Sequence, residues 1–167
     1  MIHSTLKHRI RSLVDLGCAA AGALQWHERR MRSGLTVLMY HRILPRADCA
    51  QYPLESLVMP LDAFSAQVGW LARHCTVLPV AVALERLAGE ETPGKPLVAV
   101  TFDDGYADNA EHAAPVLEAY GLRGTFFVAT DFVDKGGPFW FDLAADAWTR
   151  LDSARKNGLL DDLRESV

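Results

Sequence analysis

Two adjacent carboxylates, Asp103 and Asp104, are the residues of this sequence best suited to carry out chemistry. They follow the apolar, β-branched run 97–102, which predicts a buried strand, and they precede Gly105, which permits a sharp turn. In parallel α/β folds, ligands bind beyond the carboxyl ends of the strands. Because adjacent strand residues point in different directions, one carboxylate can bind a metal ion while the other accepts a proton. A simple turn that caps the next helix is the alternative, and the preceding strand makes it the weaker one.

The elements that must position this pair alternate between strands and helices after Gly34. Apolar runs predict strands at 35–40, 75–78, 97–102 and 124–129, and helical spacing predicts helices at 62–74, 79–87, 109–120 and 142–151. Residues 43–60 contain three prolines and are predicted to form a loop. Asp108 and Gly121 suit the N-cap and the C′ position of the third helix. Apolar strands separated by helices favour an α/β fold with a parallel sheet covered on both faces.

Composition limits the classes of protein that need to be considered. The 167 residues suffice for one packed domain, and a net charge of −4 argues against a surface that binds nucleic acid. The three cysteines, Cys18, Cys49 and Cys75, form no C-x-x-C pair and are odd in number. We therefore expect free thiols and a reducing compartment.

Residues 1–33 differ from the rest of the chain. An apolar stretch at 13–24 has basic residues on both sides, contains Asp15, and is about half as long as a membrane span. The pattern predicts an amphipathic helical segment that lies on an anionic membrane surface or packs on the domain, two alternatives that we weigh equally. The corresponding localisation is cytoplasmic or peripheral to the inner membrane, with export left open.

The segment Val-Ala-Val-Thr-Phe-Asp-Asp-Gly-Tyr at 98–106, followed by Gly-Thr-Phe-Phe-Val at 124–128, resembles the first motif and next strand of polysaccharide deacetylases. These enzymes form the NodB-homology group, carbohydrate esterase family 4. A Tyr-His pair at 40–41 adds a weaker resemblance. The resemblance implies a partial, distorted (β/α) barrel, preceded by the N-terminal amphipathic helix. On this basis residues 34–141 are the N-terminal part of the deacetylase domain, and 142–167 begin a truncated helical insertion.

The resemblance also implies an activity. Asp103 resembles the general base that activates the attacking water, and Asp104 resembles a carboxylate ligand of a divalent metal, zinc with cobalt or nickel as alternatives. Such a metal polarises the N-acetyl carbonyl and lowers the pKa of its bound water. The implied enzyme is a hydrolase of carbon–nitrogen bonds other than peptide bonds, which removes acetate from an N-acetylated polysaccharide. The basic flanks at the N-terminus hint at exopolysaccharide synthesis beside a membrane.

Three further residues are candidates for contacting substrate or orienting the carboxylates. His41 ends the first strand at the same sheet edge as Asp103, although a hydrogen-bonded loop histidine is equally favoured. Tyr106 is the last residue of the acidic motif. Trp140 belongs to the aromatic run 139–141, which either lines a sugar groove or packs in the interior.

The family's other metal ligands are histidines of an H-x-x-x-H motif downstream of the strand at 124–129. The six histidines lie at positions 3, 8, 27, 41, 74 and 112, so no two are four apart. We therefore expect an incomplete chain whose remaining metal ligands lie outside it, and which is inactive alone. The alternative is an inactive remnant or a carbohydrate-binding or interaction module. Phosphoryl transfer is disfavoured, because Gly105 stands where a second carboxylate is needed.

Overall fold

The computed structural model describes residues 34–89 and 94–165. The strands in these ranges are β1 (Leu35–Tyr40), β2 (Arg42–Leu44), β3 (Val58–Pro60), β4 (Thr76–Val77), β5 (Leu97–Phe102) and β6 (Thr125–Phe126). The α-helices are α1 (Arg46–Cys49), α2 (Leu61–His74), α3 (Val80–Ala88), α4 (Ala114–Ala119), α5 (Thr130–Lys135), α6 (Trp140–Arg150) and α7 (Ser153–Glu165). The predicted amphipathic helix in 1–33 lies outside the described residues.

A parallel sheet organises the fold around β5, as the apolar strand pattern predicts. β1 pairs with β5 along its whole length, from Leu35 beside Leu97 to Tyr40 beside Phe102. On the other side, β4 pairs with the first residues of β5 and β6 with the last. All six residues of β5 are buried, so both faces of this strand are covered. Within the described ranges the sheet has four strands, and its closure into a barrel stays a prediction.

The core lies between one face of β5 and the helices α2 and α4. α2 buries Phe64, Val68 and Leu71, whose spacing places them on one side of the helix. The Phe64 ring packs edge-on against Tyr40 and Phe102, with centroid distances of 5.2 and 5.8 Å. This aromatic contact lies directly under the ends of β1 and β5, so it supports the sheet edge that carries the acidic pair.

Two predicted elements differ from the observed ones. The predicted loop at 43–60 contains α1 and strand β3, and β3 forms a short parallel ladder with β2. Strands of three residues are too short to show a periodic pattern, so this ladder has no local signal in the sequence. The strand predicted at 124–129 is regular only at Thr125–Phe126, because β5, its partner, ends at Phe102.

The predicted N-cap role of Asp108 is wrong. Its carboxylate makes no capping bond to the following helix, which begins as a π-helical turn at Asn109–Ala113. The carboxylate instead accepts hydrogen bonds from the Ile43 N–H at 2.9 Å and from the Arg42 Nε at 2.8 Å. Gly121 takes the expected C′ position after α4, with a φ of +66°. The Asp108 carboxylate therefore joins its loop to β2 and does not cap the start of the helix that follows it.

Most of the described residues after 139 are helical, in α6 and α7. This agrees with the predicted helix at 142–151, and the assignment of 142–167 to an insertion stays a prediction. Of the helices in the described ranges, none combines the length and the apolar character needed to cross a lipid bilayer.

Candidate active site

The acidic pair and His41 meet at one edge of the sheet. Asp103 and Asp104 directly follow β5, and His41 directly follows β1. Because Tyr40 lies beside Phe102 in the parallel register, the two strands end at the same level. The Asp103 N–H donates to the Tyr40 carbonyl at 2.9 Å and extends this ladder by one bond. The parallel register thus brings the three predicted residues to one place.

The backbone reverses at Asp104 and Gly105. Both have a positive φ, of 71° and 81°, and Asp104 is the one residue other than glycine among the described ones to do so. Aspartate tolerates this left-handed conformation better than most residues. The Asp104 carbonyl accepts a hydrogen bond from the Ala129 N–H at 3.3 Å, beyond the end of β6. The reversal therefore lies at the second residue of the acidic pair itself.

Burial raises the pKa of the Asp104 carboxyl above its ordinary value. The nearby His41 imidazole acts in the opposite direction, whereas the negative charges of Asp103 and Asp142 raise that pKa further. The ionised Asp104 therefore lies in the field of two other carboxylates. A cation bound there would relieve this repulsion, so the charges around Asp104 suit a cation ligand.

The described residues do not form a complete metal site by themselves. A catalytic zinc ion needs about three protein ligands and one open position. Asp104 supplies a suitable oxygen donor, but within 34–89 and 94–165 no group of three or more His, Cys, Asp or Glu side chains is arranged to hold a metal ion. The predicted divalent metal, and the role of Asp104 as its ligand, therefore stay predictions.

A second group of side chains, here called the Arg42 cluster, lies beside the acidic pair and consists of Arg42, Tyr52, Tyr106, Asp108 and Asp142. The Arg42 guanidinium carbon lies 4.4 Å from the centre of the Tyr52 ring and 4.6 Å from that of Tyr106. Its Nη2 forms an ion pair with Asp108 at 2.8 Å. The hydroxyls of Tyr52 and Tyr106 both donate to Asp142, the latter at 3.0 Å to Oδ2. The cluster connects four distant segments of the chain.

The predicted aromatic run divides between interior and surface. Phe139 is buried and packs against the Tyr106 ring at a centroid distance of 5.2 Å and the Phe132 ring at 3.9 Å. Trp140 is 75% exposed at the start of α6. Phe139 therefore serves packing, and Trp140 is free to contact a ligand. Tyr106 belongs to the Arg42 cluster, so its ring and hydroxyl are both engaged within the protein.

Sequence reasoning missed the importance of Arg42, Tyr52 and Asp142. Tyr52 and Asp142 are 90 residues apart, and Arg42 and Asp108 are 66 apart, so no spacing rule connects them. The one available signal was the place of Asp142 in the first turn of a predicted helix, where an acidic residue is common. That signal explains its contact with the backbone but not its contact with the tyrosines.

Comparison with known proteins bears directly on this site. Residues 90–160 match the family model described as polysaccharide deacetylase, a range that includes both Asp103 and Asp104. The curated relative YxkH of Bacillus subtilis (strain 168), which has polysaccharide deacetylase in its name, is 34% identical over 105 residues. The match covers 62% of this chain and 34% of the relative.

Two solved structures share the fold. The Streptococcus pyogenes deacetylase PplD, solved with acetate, superposes with a TM-score of 0.52 at 27% identity, over 62% of this chain and 46% of its own. A de-N-acetylase from Aggregatibacter actinomycetemcomitans has a TM-score of 0.51 at 20% identity, over 64% of this chain and 43% of its own, which supports the fold alone. This chain thus spans about a third of its curated relative and less than half of either structure. Over residues 90–160 the chain is similar to polysaccharide deacetylases, and the relatives that it matches are deacetylases by name.

Proposed function

We propose that this chain supplies the catalytic base and one metal ligand of an enzyme that removes N-acetyl groups from a polysaccharide. The observation that carries this proposal is the pair of Asp103 and Asp104 at the end of β5, within the residues that match the family model. The negative charges of Asp103 and Asp142 around Asp104 suit a bound cation. The relatives' names support the same reaction class.

In this proposal Asp103 accepts a proton from the water that attacks the acetamide carbonyl carbon. The carbon–nitrogen bond then breaks, the proton passes to the leaving nitrogen, and acetate and a sugar amine are released. A divalent metal, zinc with cobalt or nickel as alternatives, would polarise the carbonyl, with Asp104 as one ligand and the others outside the described residues. His41 orients the Asp104 carboxylate, and Trp140 stacks on a sugar ring.

The proposal extends to the rest of the chain. Residues 1–33 would contact a membrane surface peripherally, and residues 142–167 would begin a helical insertion in the domain. The site of action would be cytoplasmic or peripheral to the inner membrane. The substrate would be an N-acetylated polysaccharide of the exopolysaccharide type, and nucleic acid would not bind.

Titration with Co²⁺ tests the metal role on the chain itself, because it requires no turnover. We expect weak Co²⁺ binding that is lost in Asp104→Ala and kept in Asp131→Ala. Asp131 is a matched control because it is an exposed carboxylate paired with Lys135 on α5. Equal Co²⁺ affinity in Asp104→Ala and the unchanged chain would contradict the ligand assignment.

Acetate release from an N-acetylated oligosaccharide, measured with Zn²⁺ or Co²⁺ present, tests the reaction. Because the described residues hold fewer than three candidate ligands, we expect the chain alone to bind metal without releasing acetate. Release that disappears in Asp103→Asn would show instead that the chain is catalytically complete and would identify its base.

A carbohydrate-binding module without catalysis is the second candidate, favoured by the exposed Trp140 together with the incomplete ligand set. It predicts that the affinity for an N-acetylated oligosaccharide falls in Trp140→Ala and is unchanged in Asp103→Asn. Trp148→Ala is the matched control, because Trp148 is another partly exposed tryptophan of α6. Loss of affinity in both tryptophan variants, or in neither, would count against a sugar contact at Trp140.

A further inference from the structure

The loop that carries the acidic pair is held by groups outside it. The Asp103 N–H donates to the Tyr40 carbonyl, and the Asp104 carbonyl accepts from the Ala129 N–H. Further along the loop, Asp108 is 5% exposed and accepts from the Ile43 N–H. These bonds hold the backbone at Asp103, Asp104 and Asp108, and within the reversal the Gly105 N–H donates to the Asp103 carbonyl at 2.9 Å.

The middle of the loop, where the backbone reverses, needs restraint from side chains as well as from these backbone bonds. Asp104 and Gly105 have consecutive positive φ values of 71° and 81°, and even for an aspartate the first of these is less favourable than a right-handed conformation. An unfavourable backbone conformation persists only where the surrounding structure determines it. The residue that follows the reversal, Tyr106, is the one whose side chain enters the Arg42 cluster.

We propose that Arg42 and Asp142 are positioning residues, which hold Tyr106 and Asp108 and thereby keep the acidic loop in its reversed conformation. The positioning role in catalysis rests on the proposed function, in which Asp103 and Asp104 are the reacting carboxylates. Arg42 acts on two points of the loop at once, through the Tyr106 ring at 4.6 Å and through the Asp108 carboxylate at 2.8 Å.

The chemistry of Arg42 explains why an arginine serves here. A planar guanidinium can lie against two aromatic rings while its nitrogens bond a carboxylate in a fixed orientation. Lysine has the same charge but lacks both the flat face and the fork of donors. The Arg42 side chain is 22% exposed and its partner Asp108 is 6% exposed, so solvent screens this pair only partly.

Asp142 acts from the opposite side of the cluster. Its carboxylate accepts from the Tyr52 and Tyr106 hydroxyls and from the Phe139 N–H at 3.2 Å. It therefore ties the start of α6 to the acidic loop through the two tyrosines. Because Asp142 also contributes to the pKa shift of Asp104, this end of α6 lies close to the acidic pair.

Amide hydrogen exchange on the chain without metal or substrate tests the role of Arg42. In Arg42→Lys and Arg42→Ala we expect the Gly105 and Ala129 amides to exchange at least about tenfold faster, because a hydrogen bond between charged groups is lost. Amides within β5 should keep their exchange rates. Arg46→Lys is the matched control, because Arg46 forms an ion pair with Asp62 that is exposed and away from the loop. We expect no change there.

Asp142 variants separate geometry from charge in the same experiment. Asp142→Asn retains an acceptor for the hydroxyls and should stay within about threefold of the unchanged exchange rates, whereas Asp142→Ala should accelerate the loop amides as Arg42→Lys does. Asp146→Ala, one turn further along α6 and paired with Arg150, should have no effect.

Two results would overturn the positioning role. One is unchanged loop exchange in both Arg42→Lys and Asp142→Ala. The other is equal acceleration of the loop and of β5, which would indicate general destabilisation. The exchange measurement uses neither metal nor substrate, so its result does not depend on whether the proposed reaction occurs. Conversely, failure of the positioning role would leave Asp103 and Asp104 as the candidate reacting carboxylates.

Discussion

Gly105→Ala is the sharpest test of the turn that carries the acidic pair. Gly105 has a φ of +81°, where a side chain is unfavourable, and a Cβ built there would lie 2.9 Å from Val128 Cγ1 and 3.4 Å from Val128 Cα. Two separate costs are therefore expected. One arises from the backbone conformation and the other from the collision with Val128, whose position is fixed by the neighbouring bond from Ala129 to Asp104.

The left-handed conformation costs roughly 1–2 kcal/mol for a residue with a Cβ. Forcing an extra methyl group against a packed neighbour adds about 1–3 kcal/mol. We therefore expect Gly105→Ala to lower the free energy of unfolding by roughly 2–5 kcal/mol, the sum of the two costs. In a Val128→Ala background the Cγ1 contact is absent, so the same substitution should cost only about 1–2 kcal/mol.

Urea unfolding followed by tryptophan fluorescence measures these differences, provided that the slope of the transition is unchanged. Gly121→Ala is the matched control, because Gly121 has a φ of +66° at the C′ position of α4 and no heavy atom of the described structure lies within 4 Å of a Cβ built there. It should show the conformational cost alone, about 1–2 kcal/mol. An equal cost of Gly105→Ala with and without the Val128 side chain, or a cost no larger than that of Gly121→Ala, would refute the reasoning.

Two further predictions concern charge and core packing. Because the pKa of Asp104 is raised in the folded chain, the folded state binds this proton more tightly, and stability should fall as the pH rises from the ordinary aspartate value of about 3.9 through the raised pKa. Urea unfolding should thus show that Asp104→Asn stabilises the chain at neutral pH but not below about pH 3.9. A variant less stable than the unchanged chain at neutral pH would contradict the burial argument. Phe64→Ala, at a residue with no exposed surface, should cost about 3–5 kcal/mol in the same assay. Trp70→Ala, on the half-exposed side of the same helix, should cost much less, and similar costs would exclude a specific role of the Phe64 ring contacts.

Elements with a local signal could be predicted from the sequence. β1 and β5 have the bounds expected from their apolar runs, and α2 begins one residue before its predicted start. Each is long enough for its pattern of buried residues to be visible in the chain itself. The acidic pair at the end of β5 and the family resemblance depend on the same contiguous residues, which is why both could be found without a structure.

Features that depend on partners distant in the sequence could not be predicted. Asp108 has the residue type and position of an N-cap, but the Ile43 N–H and the Arg42 guanidinium take its carboxylate instead. Likewise, β6 is shorter than its apolar run, because its length is set by where its partner strand ends. Local preference in these places is weaker than the bonds that the folded chain provides.

The sequence alone determined the parallel strand that delivers Asp103 and Asp104 to one sheet edge, because burial of a six-residue strand leaves a pattern in six consecutive residues. How that pair is held depends on contacts that form when the chain folds. The Arg42 cluster brings Tyr52 within hydrogen-bonding distance of Asp142, 90 residues away. This cluster and the left-handed turn at Asp104 depend on contacts between segments that no local pattern relates. Side-chain hydrogen bonds and ring contacts are formed by proximity in space, and proximity across 90 residues exists only once the chain has folded.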